Sequence, residues 1–207
     1  MVLERNRAMG PADPALRPGT RPETYLAAER ASEAKHELWS GEVFAMAGAS
    51  FAHHQIVTNL ARELSGRLRD RACDVLPSDM KVFVPTTSSF VYSDLSIVCG
   101  EPRFRDGERD VLLNPRLVVE VLSDSTERFD RGDKFAGYRA IESIRQVLLV
   151  SQGQRRVEVF TRAGPRWILD DITGSDVARL EAVDCDLPLG EVYLKVLPAE
   201  PTPAPGS

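Results

Sequence analysis

The stretch Leu117-Val118-Val119-Glu120-Val121-Leu122 decides how this chain folds. Its aliphatic and β-branched residues suit a strand covered on both faces. Glu120 does not suit such a strand, because an isolated carboxylate in an apolar interior is expensive and requires a partner. The run Val91-Tyr92-Ser93-Asp94-Leu95-Ser96-Ile97-Val98 repeats the pattern and places a second acid, Asp94, inside another expected strand. Two such strands side by side bring the acids together. A hard cation such as Mg²⁺ relieves their repulsion, since it prefers oxygen ligands and keeps several waters beside one or two carboxylates. Taken singly, each acid also reads as an edge carboxylate or a buried ion-pair partner.

Working outward, the runs 73–76, 80–84, 91–99 and 116–123 are β-rich and separated by turn chemistry at Pro77-Ser78-Asp79, residues 86–89 and Asn114-Pro115. They form an expected central sheet, which 146–151, 156–161 and 166–170 extend. Upstream, residues 36–39 and 42–46 flank Ser40-Gly41, where glycine supplies the positive φ of a tight hairpin. Three helices are expected. The first opens at Pro22 with Glu23 in its first turn. The second is capped by Ser50 and carries Val57, Ala61, Leu64 and Leu68 on one face as far as about Arg71. The third covers about 131–141, where Tyr138 follows Lys134 by one turn.

The second helix carries Arg62, Arg67, Arg69 and Arg71 on its other face against Glu63 and Asp70, which reads as a solvated face. His53 and His54 fall in its first turn, where neutral imidazoles meet a phosphate or a backbone group or serve structure alone. The charged loop 100–110 reads as a lid, a partner contact or a plain surface loop. Trp39 and Trp167 read as packing.

At 207 residues and 43% hydrophobic, the chain suits one domain, 23–196, between proline-rich tails at 1–22 and 197–207 that are expected to be disordered. A net charge of -5 argues against bulk electrostatic coating of nucleic acid and leaves room for a local basic groove. No apolar run approaches the roughly 18 residues of a membrane span, so no membrane partner is expected. Cys73, Cys99 and Cys185 fit neither a disulfide framework nor a paired-cysteine zinc site. Three unpaired thiols in a reducing cytoplasm are the expectation.

One ordered set carries a resemblance: residues 37–42 (ELWSGE), His53 with Asn59, SDLSIV around Asp94, VVEVLSDST around Glu120, then Asp130, Lys134 and Tyr138. Over about residues 23–196 the chain resembles the Uma2 family, whose members look like PD-(D/E)XK restriction-endonuclease-like proteins. The resemblance implies an α/β fold with a central mixed β-sheet flanked by helices, and a metal-dependent endonuclease acting on DNA. It further implies Mg²⁺ or Mn²⁺ held by Asp94 and Glu120 with the Val121 carbonyl, a catalytic Lys134, Glu37 as a further ligand or base, and Tyr138 near the site. A homodimer is expected because duplex cleavage needs two cuts.

The sequence departs from the general nuclease pattern. Ser93 replaces the proline before the aspartate, Asp124 stands where relatives tend to have proline, and Leu122 occupies the place of the usual lysine. Residues 120 and 122 share a strand face, and an apolar side chain there carries no charge. The resemblance supplies Lys134 from the third helix instead. By itself Lys134 reads as a solvated helix lysine and Asp130 as a helix cap. A catalytically silent binding or assembly module with the same fold is the competing functional reading.

Overall fold

The computed structural model describes residues 18–46, 48–174 and 176–196. Its elements are α1 (Pro22–Ala31), β1 (His36–Trp39), β2 (Glu42–Ala45), α2 (Phe51–Arg67), β3 (Cys73–Pro77), β4 (Lys81–Val84), β5 (Ser89–Tyr92), β6 (Leu95–Cys99), β7 (Val111–Leu112) and β8 (Leu117–Leu122). Then follow α3 (Glu127–Phe129), a π-helical turn (Asp130–Lys134), α4 (Phe135–Ala140), β9 (Gln146–Ser151), β10 (Arg156–Ala163), β11 (Arg166–Thr173), β12 (Val177–Leu180), β13 (Cys185–Pro188) and α5 (Leu189–Val192). The fold is mixed α/β.

All six residues of β8 are buried. It lies inside a six-stranded sheet ordered β11-β10-β9-β8-β6-β3, parallel to β9 and antiparallel to β6. Leu117, Val119 and Val121 pack on one side against α2, β13 and α5, through Ile56, Leu60, Leu64, Leu187 and Val192. Val118 and Leu122 pack on the other side against Trp39, Val84 and Tyr138. Glu120 shares the second side, so the strand period aims its carboxylate into the layer between the sheet and α4. A five-stranded sheet ordered β2-β1-β5-β4-β7 closes that layer.

The expected strand 91–99 is two strands in two sheets. β5 ends at Tyr92 and β6 begins at Leu95, so Asp94 stands at the crossing and not inside a strand. There the Val121 N–H donates to the Asp94 carboxylate at 2.7 Å, and the Ser93 and Ser96 hydroxyls bond each other at 2.8 Å. The β6–β8 register pairs Leu95 with Val119, and continuing it by one residue sets Asp94 opposite Glu120. The convergence expected of the two acids is therefore present.

Other expectations shift by small amounts. Ser50 caps α2 by accepting the His53 N–H at 3.1 Å. Of the expected stripe, Leu64 and Leu68 are buried, while Val57 and Ala61 pack half-buried beside Ile56, Asn59 and Leu60, which complete the buried face. Ser40 and Gly41 both take positive φ in the hairpin. The third helix begins earlier, at Glu127, and contains the π turn. β7, β12, β13 and α5 were not anticipated, being short or turn-rich.

The expectation of three unpaired thiols is corrected. Cys73 and Cys99 are register partners on β3 and β6 and are joined by a disulfide, leaving Cys185 free and buried. The argument for a reducing compartment falls with it, because spacing in sequence does not reveal which cysteines a sheet register brings together.

The loop 100–110 is tied down. Arg30 bonds Asp106 and Asp110, Lys81 bonds Asp110 at 2.9 Å, and the Arg105 guanidinium lies over Phe83 and Phe90. The surface-loop reading is the one that fits these contacts. Arg62 and Arg67 on α2, and Arg71 in the turn after it, all pair with carboxylates, as a solvated face would. No helix among the described residues is long and apolar enough to cross a membrane. The expected tails lie outside the described residues except for 18–22, where the Gly19 and Thr20 N–H groups donate to the Gly41 carbonyl and Pro22 opens α1.

Candidate functional site

Where the two sheets separate, a cavity of about 850 Å³ opens to solvent, floored by Glu37, Asp94, Glu120, Asp130 and Lys134. The five residues arrive on four separate elements of the chain. Glu37 stands on β1, Asp94 at the crossing from β5 to β6, Glu120 on β8, and Asp130 and Lys134 open and close the π turn. An i→i+5 turn inserted in a helix rotates the residues beyond it, and such insertions recur at functional sites.

Lys134 is 4% exposed, yet its ammonium lies 3.0 Å from Glu120 Oε1, 3.2 Å from Glu37 Oε1 and 3.6 Å from Asp130 Oδ1. It also donates to the Tyr92 carbonyl at 2.9 Å. The neighbouring Tyr92 N–H donates to Glu37 Oε1 at 3.0 Å, so one peptide segment orients both the acid and the lysine. Tyr138, one turn beyond Lys134, donates its hydroxyl to Glu120 Oε1 at 2.5 Å. Lys134, Tyr138, Glu37, Asp94 and Glu120 are thus all brought together.

Burial pushes the Glu120 carboxyl well above the usual range; Lys134 opposes that shift while Asp130 and Asp94 add to it. Asp130 moves up for the same first reason, against the pull of Lys134. Burial works to strip the proton from Lys134, but Glu120, Glu37, Asp130 and Asp94 outweigh it and hold the ammonium charged. Tyr138 is held as a neutral donor by burial and by the Glu120 carboxylate. One cation thus faces four acids, so the floor holds an excess of carboxyl groups over cations, and burial moves two of those acids, Glu120 and Asp130, toward the protonated form.

That excess bears on whether a divalent cation fits. Glu120 Oε1 is taken by Lys134 and Tyr138, and Asp94 Oδ2 by the Val121 N–H, while the two acids stand opposite each other at the cavity edge. Among the described residues no group of three or more His, Cys, Asp or Glu is placed to hold a metal. Mg²⁺ needs only one or two carboxylates when water and substrate oxygens complete its shell, so the donor set fits that ion. The Val121 main chain borders the cavity beside them.

Leu122, on the same strand face as Glu120, is packed in the core with Val118 and Tyr138. The ammonium beside Glu120 is that of Lys134, reaching in from across the layer. That pairing is legible only in three dimensions.

His53 had been left open between a structural and a phosphate-facing role. Its Nε2 lies 3.2 Å from Asp94 Oδ1, and its buried Nδ1 has no hydrogen-bond partner among the described residues. The Ser50 cap fixes the turn that presents it. The loop Ser123–Thr126, the end of the VVEVLSDST motif, also borders the cavity, as does Gln152, which donates to the Leu122 carbonyl at 2.6 Å and carried no distinctive sequence signal.

The profile of the Uma2 family, described as "Putative restriction endonuclease", matches residues 22–189. The chain belongs to the Uma2 family. Two uncharacterized proteins of Synechocystis sp. are similar to it. One is 35% identical over 153 residues, covering 73% of this chain and 86% of the relative. The other is 31% identical over 177 residues, covering 85% and 92%. A crystal structure of a "putative nuclease belonging to DUF820" from Anabaena variabilis superimposes with a TM-score of 0.70 at 12% identity, covering 85% of this chain and 98% of that one. At that identity the likeness is one of fold. It agrees with the mixed α/β architecture of this Uma2 chain.

Proposed function

We propose that this Uma2 chain is a nuclease that hydrolyses phosphodiester bonds in DNA, with Mg²⁺ or Mn²⁺ held by Asp94, Glu120 and the Val121 carbonyl. The observation that carries the reading is the charge of the cavity floor: four buried or half-buried acids converge on one lysine. A structural ion pair needs one acid for one lysine, whereas a cation-dependent site needs surplus carboxylate. The family description and the fold of the Anabaena variabilis protein point the same way.

The chemistry supplied by such an ion is activation of water at neutral pH and polarisation of a phosphoryl oxygen. The protein's own groups do the rest. Lys134 places a permanent positive charge beside Glu120, where negative charge grows on the phosphoryl group as the water oxygen bonds to phosphorus and the ester oxygen departs. Glu37 and Asp130 hold that ammonium in place, and the Tyr138 hydroxyl orients Glu120. His53 orients Asp94 from the cavity wall. Two strand cuts in a duplex imply a homodimer.

Plasmid, single-stranded DNA and RNA incubated with Mg²⁺ or Mn²⁺ test the reading in wild type, Asp94→Asn, Glu120→Gln and Lys134→Met. Plasmid cleavage that needs the metal and falls by about 10²-fold or more in each variant is the expected result. Unchanged cleavage in all three would overturn the site assignment. Absence of both cleavage and calorimetric Mn²⁺ binding would favour a silent module.

A further inference from the structure

A second concavity, of about 290 Å³, opens at the other end of β8 and is bordered by Arg103, Arg116, Arg145, Asn114, Ser143 and Glu101. It differs from the cavity above in charge and in how its cations are used. Arg30, Arg62, Arg67, Arg71, Arg105, Arg131, Arg156 and Arg179 pair with carboxylates. No ion pair among the described residues engages Arg103, Arg116 or Arg145, and unlike Arg69, Arg109, Arg128, Arg139 and Arg166, which also lack one, these three share a single hollow. Among the described residues that line it, Glu101 is the one acid.

The hollow is built on fixed backbone. The Arg116 N–H donates to the Ile97 carbonyl at 2.7 Å and the Arg145 N–H to the Arg116 carbonyl at 2.8 Å, which pins both residues to the ends of β8 and β9. The Arg103 N–H donates to Asn114 Oδ1 at 2.7 Å, and Asn114 Nδ2 donates to the Glu101 carbonyl at 3.0 Å. Arg116 spends its Nε on the Ala182 carbonyl, which leaves the outer nitrogens of its fork. The Ser143 hydroxyl at the wall is buried and has no partner among the described residues, so a donor stands ready there. Arg162 adjoins the hollow, its backbone N–H donating to the Arg145 carbonyl at 2.8 Å.

We infer that the Arg103–Arg116–Arg145 hollow binds a backbone phosphate of the nucleic acid, serving as an anchor apart from the reaction site. Planar guanidinium forks match phosphate oxygens, and three of them around one hollow are poorly explained by solvation alone. The inference rests on the nuclease reading and answers a difficulty in it. A floor with surplus carboxylate repels the substrate's phosphates, so affinity must come from elsewhere in a chain of net charge -5. Four residues of strand separate Arg116 from Glu120, about 13 Å, which is within the reach of one bound strand.

The test is fluorescence anisotropy with a short labelled DNA duplex and the full chain in EDTA, where no cleavage intervenes. Arg103→Gln/Arg145→Gln should weaken binding by roughly tenfold or more at low salt and flatten the log K against log salt slope by about one to two. Arg69→Gln, an exposed arginine elsewhere, should leave both unchanged. Inorganic phosphate should compete with the duplex in wild type and lose that effect in the double variant. Wild-type affinity and slope in the double variant would overturn the inference. So would phosphate binding at the hollow by a chain that binds no duplex. Hydrolysis of bis(p-nitrophenyl) phosphate with Mn²⁺ reports the Glu120 site alone: loss of that activity counts against the nuclease reading, and loss of duplex binding against the anchor.

Discussion

Replacing Lys134 with methionine keeps the aliphatic stem and removes the charge together with the bond donated to the Tyr92 carbonyl. At an effective dielectric near 20, each of the closest contacts, Glu120 at 3.0 Å and Glu37 at 3.2 Å, is worth about 5 kcal/mol of attraction. Desolvation of the ammonium takes back several kcal/mol, so the expected loss on removing one partner of a buried set is about 3–5 kcal/mol. For a domain of this size that lowers Tm by roughly 6–20 °C. The loss should depend on pH with a definite sign. Lys134 holds the Glu120 and Asp130 carboxyls down against burial, so without it they retain protons at higher pH. The destabilisation is then greatest at about pH 8 and shrinks toward about pH 5, where protonated acids no longer repel one another. Thermal unfolding of both proteins in EDTA at several pH values checks this. A fall in Tm below about 2 °C, or one that ignores pH, would show that Lys134 is solvated and would remove the reasoning that makes it the counter-charge of the site.

Two further perturbations probe the frame that holds the site. Gly137 on α4 lies where an added Cβ would sit 2.8 Å from Trp39 Cη2 and 3.0 Å from Val84 Cγ1. Gly137→Ala should therefore destabilise by about 1–3 kcal/mol through overpacking and shift the Trp39 fluorescence, whereas a neutral result would mean the helix can retreat. Asp110 accepts from Arg30 and Lys81, and these cations hold its carboxyl well below the usual range. Its contribution is present above the unfolded carboxyl pKa of about 3.9 and is lost as pH falls through the lower folded value. Asp110→Asn should cost about 1–2 kcal/mol near neutrality and progressively less as pH falls below the unfolded value of about 3.9; urea midpoints with a gap constant across pH would contradict the pairing.

The apolar run at 117–122 was enough to place a doubly buried strand at the centre of the fold, because only a sheet covered on both sides makes use of such residues. It also marked Glu120, since a carboxylate in that setting is explained only by what surrounds it. Lys134 and Tyr138 were legible as one helix face through their spacing of four. The ordered motifs were legible as a family through their sequence order. What pairs with what was decided in three dimensions. Asp94 meets Glu120 because the chain leaves one sheet after β5 and enters the register of β8 in the other as β6, and no local pattern in 91–99 announces that crossing. Cys73 and Cys99 meet through a register, and Lys134 reaches Glu120 across a packed layer. The arginines of the second hollow, at 103, 116 and 145, are scattered along the chain and gather only at strand ends. Burial, periodicity and capping act between near neighbours and can be read along the chain. Electrostatic sites are made by residues far apart in sequence, and their signs and surpluses exist only after the sheets have stacked.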